Sequence, residues 1–214
     1  FFSAYNPPHV KLIDVSKTPI ERFTKKGIVA NDIEYELDNL VCTTGFAAKT
    51  GSFDKIQITG RGGLTLKKKW SAGPRTYLGL SSNGFPNLFM ITGPGSPSVL
   101  ASMIQAIEQH VDWIADCISH MRDVGASTIE AKVHDENDWV DHVNEVSQVS
   151  LRSTCSSWYV GANIPGRPRV FMPYIGGFPI YVDKCNSIMM GGYEGFVSAG
   201  SKKPTSPPQV RCTE

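Results

Sequence analysis

The chain has 214 residues, 41% of them hydrophobic and 19% charged, with a formal net charge of +1. That composition fits one folded core or slightly more, and it excludes a fibrous or charge-dominated disordered chain. Near-neutrality supplies no general field toward nucleic acid or a membrane surface, and no apolar run reaches the roughly 18 residues of a spanning helix.

In chain order, "HVKLIDV" (9–15) predicts a short strand. Lys25-Lys26-Gly27 is a turn signal between two β-rich runs, and Ile33, Tyr35 and Leu37 alternate with Glu34 and Glu36, so residues 20–37 predict a hairpin or meander. "NLVCTTGF" (39–46) predicts a buried strand ending on glycine, and "KIQITGRGG" another strand-like piece. Lys67-Lys68-Lys69 is expected to be a solvated strand end. "GRGGLTL" comes nearest to a dinucleotide fingerprint, with no helix expected after it. "FPNLFMITGPG" predicts a strand and its exit.

From Ser98 the apolar positions Leu100, Met103, Ile104, Ile107, Val111, Ile114, Ile118 and Met121 step by three and four, which predicts a long amphipathic helix stopped at Gly125. A second helix over about 135–150 carries Trp139, Val143 and Val146 on one face. Residues 152–169 predict a long loop. "VFMPYIGGFPIYV" is strand-like but broken by Pro173 and two glycines, and residues 198–214 predict a disordered tail. The fold class is α/β with mixed sheet pieces, a long helix and a helical excursion.

Five cysteines, Cys42, Cys117, Cys155, Cys185 and Cys212, are odd in number and lack any C-x-x-C pair. They predict free thiols in a reducing compartment, the cytoplasm, and argue against a disulfide framework or zinc site. His9, His110, His120, His134 and His142 have no metal-ligand spacing, so no metal is expected. The chain opens on Phe1 and shows no signal peptide, which predicts a start made by cleavage or excision.

Two stretches are candidates for chemistry. Gly93-Pro-Gly-Ser-Pro-Ser98 is expected where a strand hands over to a helix. It is either a plain turn or a helix N-terminus whose unpaired amides hold an electron-rich group, with Gly93 and Gly95 allowing close approach. In "SSWYVGANIPGRP" (156–168), Trp158 sits among small polar residues. It either pins the loop or stacks on a planar ligand. No G-x-S-x-G elbow, Walker A loop or G-x-G-x-x-G between strand and helix occurs.

"TTGF" (43–46), "GPRTYLGLSSNGFPNLFMITGPGSPSVLASMIQAIEQHVDWI" (73–114) and "SWYVGANIPGRPRVFMPYIGGF" (157–178) together resemble type I Baeyer–Villiger monooxygenases, from the first residues to about Val197. The resemblance implies the C-terminal portion of a flavoprotein with two dinucleotide-binding domains. In that family NADPH reduces a tightly held FAD, which takes up O2 as a C4a-peroxide that attacks a ketone and yields an ester or lactone.

The resemblance further implies that residues 1–48 are the closing β-portion of the NADP-binding domain with a hinge strand. Residues 49–197 would be the C-terminal part of the FAD-binding domain, with a mobile loop at 152–169. Thr44, Gly45, Gly93, Pro94 and Met103 would meet FAD, and Trp158 would serve NADP. Ser98, Val99, Leu100 and Met103 would shape the ketone pocket. The glycine fingerprints and the arginine supporting catalysis would lie in the N-terminal portion of the same enzyme, the expected partner. A related N- or S-hydroxylating flavin monooxygenase and a non-catalytic binding module are the alternatives.

Overall fold

A computed structural model describes residues 2–43, 45, 47–162, 164 and 166–201. The chain divides into two compact units, residues 1–44 and residues 45–214.

The first unit is the expected meander. Strands β1 (Ile20–Phe23), β2 (Gly27–Ala30) and β3 (Ile33–Glu36) form an antiparallel sheet in that order. Asn31 and Asp32, both at positive φ, make the two-residue turn that joins β2 to β3. Residues 9–15 are not a strand. The Asp14 carboxylate accepts from the Ser16 amide at 3.1 Å and its carbonyl accepts from Lys17 and Thr18, so local turn bonds replace a ladder. Residues 39–43 are also not a strand. They form no hydrogen bond among the described residues, and Leu40 and Val41 are exposed. An apolar run becomes a strand only with a neighbour to pair with.

The second unit holds two short helices, α1 (Gly51–Asp54) and α2 (Leu66–Lys69), then α3 (Met103–Asp123), β4 (Ala126–Ala131), α4 (Val133–Ser147), α5 (Phe178–Met190) and β5 (Phe196–Ser201). Strands β4 and β5 pair antiparallel, from Ala126 opposite Ser201 to Ala131 opposite Phe196. Trp113, Cys117, Ile129, Trp139, Tyr181 and Phe196 share one core, while Leu66, Trp70, Phe85 and Met90 form a smaller one.

Several expectations are corrected. "KIQITGRGG" contributes only an isolated bridge, Thr59 with Thr65, and a helix does follow "GRGGLTL": Thr65 caps α2 by accepting from the Lys68 amide. Lys69, in the basic run, is largely buried against Glu136 at 2.8 Å. Residues 85–92 are irregular because Asn87 and Thr92 adopt positive φ, which breaks an extended run. Helix α3 begins at Met103, not Ser98. "FPIYV" opens α5, with Pro179 in its first turn and Gly191 at its end. Residues 198–201 belong to β5; 202–214, including Cys212, lie outside the described residues.

Candidate functional site

The Gly93–Ser98 knot is a buried turn, and four residues, 99–102, separate its end at Ser98 from the start of helix α3 at Met103. Several of its polar groups are satisfied by the unit itself. The Gly95 amide donates to the Met172 carbonyl at 2.6 Å, the Tyr174 amide donates to the Ser96 carbonyl at 3.0 Å, and Trp139 Nε1 donates to the Gly95 carbonyl at 3.1 Å. Thr76 Oγ1 donates to the Pro94 carbonyl at 2.6 Å. The close approach that glycine permits is therefore used within the chain. A Cβ on Gly93 would lie 2.5 Å from the Gly79 carbonyl oxygen, and one on Gly79 2.5 Å from the Ser96 amide.

What opens outward is the stretch after the knot. Ser98 is only 7% exposed, yet its hydroxyl has no partner. Leu100 and Met103 are exposed. Ser102 is the N-cap of α3 without a side-chain cap bond, and the amides of Met103, Ile104 and Gln105 have no acceptor among the described residues. The N-terminus of a 21-residue helix thus has unpaired donors and positive partial charge, five residues along the chain from an orphaned buried hydroxyl. Such a donor set fits an electron-rich ring edge, the chemistry a flavin would bring, and Val99, Leu100 and Met103, next to it in sequence, are apolar.

Behind the knot lies a buried polar relay. The Thr92 amide donates to His110 Nδ1 at 3.1 Å, which leaves the proton on Nε2; Nε2 lies 3.0 Å from the Tyr181 hydroxyl, which donates to the Leu78 carbonyl at 2.8 Å. Burial, with Lys49 nearby, lowers His110 to about 4. Lys49 Nζ donates to the Thr92 carbonyl at 3.0 Å, and burial lowers this amine to about 8. Thr92, immediately before the knot, is held at both its amide and its carbonyl. Neither Lys49 nor Tyr181 stood out in the sequence; His110 was visible only as a lone histidine in a helical run.

Trp158 is half-buried in a 3-10 turn and stacks on Tyr159, ring centroids 4.3 Å apart at 16°. Its loop borders a cleft of about 260 Å³ lined by Thr50, Asp54, Trp70, Gly161 and Arg167. The Arg167 guanidinium bonds Asp54 and Thr50. The structure does not bring Trp158 into contact with the α3 N-terminus. Gly45 has φ +85 with open space around it; Thr44, Phe46, Asn163 and Pro165 lie outside the described residues. Among the described residues no group of three His, Cys, Asp or Glu is placed to hold a metal, no helix is long and apolar enough to cross a membrane, and Cys42, Cys117, Cys155 and Cys185 are free.

No family model matches the chain. Among curated proteins it is 37% identical over 198 residues to an acetone monooxygenase (methyl acetate-forming) of Gordonia sp. (strain TY-5), covering 92% of this chain and 37% of that protein. It is 35% identical over 198 residues to a phenazine N-monooxygenase of Lysobacter antibioticus, covering 92% of this chain and 36% of that protein. Among solved structures it is similar to an oxidized steroid monooxygenase bound to NADP, with TM-score 0.78 and 47% identity over 92% of this chain and 37% of that one. It is also similar to OTEMO in complex with FAD and NADP, with TM-score 0.83 and 33% identity over 93% of this chain and 37% of that one. The chain thus spans little more than a third of the length of the proteins it matches.

Proposed function

We propose that this chain, a homologue of Baeyer–Villiger monooxygenases over 92% of its length, is the C-terminal portion of such an enzyme, carrying part of the two-dinucleotide-binding flavoprotein fold. The whole enzyme uses NADPH and O2 to insert one oxygen atom between a ketone carbonyl and its neighbouring carbon, giving an ester or lactone. The observations that support the reading within this chain are the open amide end of α3 and, five residues earlier in sequence, the unpartnered Ser98 hydroxyl.

FAD, when bound, supplies the electron transfer and the oxygen activation. The residues of this chain supply position and field. The amides of Met103, Ile104 and Gln105 favour negative charge at the ring edge that faces them, and the Ser98 hydroxyl offers one hydrogen bond there. Val99, Leu100 and the Met103 side chain form an apolar wall that excludes water and orients the ketone. Met103 is unbranched and adaptable, which suits a broad ketone range. Gly93 and Pro94 act one step back: their buried turn fixes where Ser98 and the helix end emerge. Thr44 and Gly45 lie at the hinge toward the FAD portion, and Trp158, on a loop of small polar residues, takes the NADP side. Four free thiols support a reducing, cytoplasmic setting.

Similarity to a phenazine N-monooxygenase favours a second reading, oxygen transfer to nitrogen. The test is a chimera in which this chain replaces the matching third of the acetone monooxygenase. Supplied with NADPH, O2, a ketone panel and a heteroaromatic amine, it yields esters or lactones on our reading. N-oxide without ester selects the second reading, and a folded flavin-loaded chimera making neither product removes both.

A further inference from the structure

Thr92 enters the knot in a conformation its residue type disfavours. Its φ is +53, and a β-branched residue in the left-handed region is a genuine outlier. Lys49 is strained as well. Its φ is +66, and the Thr50 amide donates to the Ala48 carbonyl at 2.8 Å, so Lys49 is the apex of a three-residue turn of the rare γ type. One hydrogen bond spans the two strained residues, 43 positions apart: Lys49 Nζ donates to the Thr92 carbonyl at 3.0 Å. Thr92 is therefore held in a clamp. On one side its amide donates to His110 Nδ1, and the buried His110 ring is fixed by the Tyr181 hydroxyl. On the other side Lys49 forms no ion pair among the described residues, so no carboxylate draws its amine off the Thr92 carbonyl. The amine is lowered to about 8 by burial and still carries its extra proton at neutral pH, and a charged donor makes the stronger kind of hydrogen bond.

We propose that Lys49 is a positioning residue for the oxygen insertion: by holding the Thr92 carbonyl it keeps the strained entry to the knot in place, and so fixes where Ser98 and the open end of α3 emerge. The proposal rests on the functional reading above. Strain persists in a folded chain only where the surroundings impose it, and it concentrates where geometry serves function. Here it sits one residue ahead of a turn with no slack. A Cβ on Gly93 would lie 2.5 Å from the Gly79 carbonyl oxygen, so a shift at Thr92 is not absorbed in the turn but passes along it to Ser98. Lys49 also stands four residues after Gly45, so its bond to Thr92 ties together the two stretches that the functional reading assigns to the FAD side.

The test compares Lys49→Met, which removes the donor and keeps the chain length, with Lys49→Met plus Thr92→Gly, because glycine adopts a positive φ without strain. In the 214-residue chain, Lys49→Met is expected to speed hydrogen exchange in the peptide covering residues 92–98 about tenfold. In the acetone monooxygenase chimera it is expected to lower kcat for ester formation about tenfold while the KM for NADPH stays within about twofold. Adding Thr92→Gly is expected to bring both the exchange and kcat back to within about threefold of the native values. A lysine with a purely structural role would lower the melting temperature and leave kcat unmoved; a lysine acting by its charge alone would leave the double variant as slow as the single one. Either result overturns the proposal. Where Lys49→Met alone yields no folded protein, the double variant is expected to fold, and its failure to do so overturns the proposal too. A native chimera that holds FAD and makes no ester contradicts the functional reading alone; the clamp is then judged by the exchange in residues 92–98.

Discussion

His110 and Tyr181 meet in the core, Nε2 to hydroxyl at 3.0 Å, and their contact ties helix α3 to helix α5 behind the Gly93–Ser98 knot. Because Nδ1 accepts from the Thr92 amide, only the neutral ring completes the relay. Burial holds His110 at about 4, below the ordinary 6.5, so the unfolded chain takes up the proton first. Its contribution to stability is full above about pH 6.5 and is lost as pH falls toward 4, about 3 kcal/mol in all. Denaturant unfolding at pH 7.5, 5.5 and 4.5 is expected to show that slope, and His110→Gln to flatten it while costing about 2 kcal/mol at neutral pH.

The interlocked glycines make a second test. Gly93→Ala drives a methyl group to 2.5 Å from the Gly79 carbonyl, and Gly79→Ala adds strain at φ +72. Each is expected to lower stability by about 2–3 kcal/mol, read by denaturant titration. A neutral effect would mean that the knot is looser than described.

Lys69 and Glu136 form a buried pair, with Ser82 Oγ and the Asn83 amide also donating to the Glu136 carboxylate. Lys69→Met leaves that carboxylate inside the protein without its countercharge and is expected to cost about 3–5 kcal/mol. Lys69→Met with Glu136→Gln is expected to cost less than the single change, which a double-mutant cycle measures.

At the candidate site, Met103→Gly in the chimera is expected to change which ketones react while flavin content stays within about twofold, because on the proposed reading the Met103 amide serves the cofactor and its exposed side chain the substrate. Trp158→Ala is expected to raise the KM for NADPH several-fold and to move the melting temperature by less than about 3 °C, since the ring is half-buried against Tyr159. Loss of folding without a kinetic effect would make Trp158 a loop anchor.

The helices were legible where period and punctuation agree. Trp139, Val143 and Val146 marked the buried face of α4, and Gly125 the end of α3. Helix α5 was missed because Phe178, Ile180, Tyr181 and Val182 read as strand formers; the signal available was Tyr181, Cys185 and Ile188 at helical spacing. Residues 39–43 and 85–92 read as strands on composition, but a strand depends on its neighbour, and composition cannot show whether the neighbour is present. The apolar positions of α3 were legible as a helix, but periodicity identifies an apolar face without saying what covers it, and Ile104, Ile107, Val111 and Ile118 are left exposed. The candidate stretch, Gly93 to Met103, stood out in the sequence by its glycines and prolines. The division between a buried knot and an open helix end did not, since it depends on Met172, Tyr174 and Trp139, distant in sequence.

The most direct measurement is hydrogen exchange by mass spectrometry on the chimera with and without FAD. The account predicts that FAD slows exchange in the peptide covering residues 98–106 more than in any other peptide from this chain. Unchanged exchange there, in a chimera that demonstrably holds FAD, would contradict it.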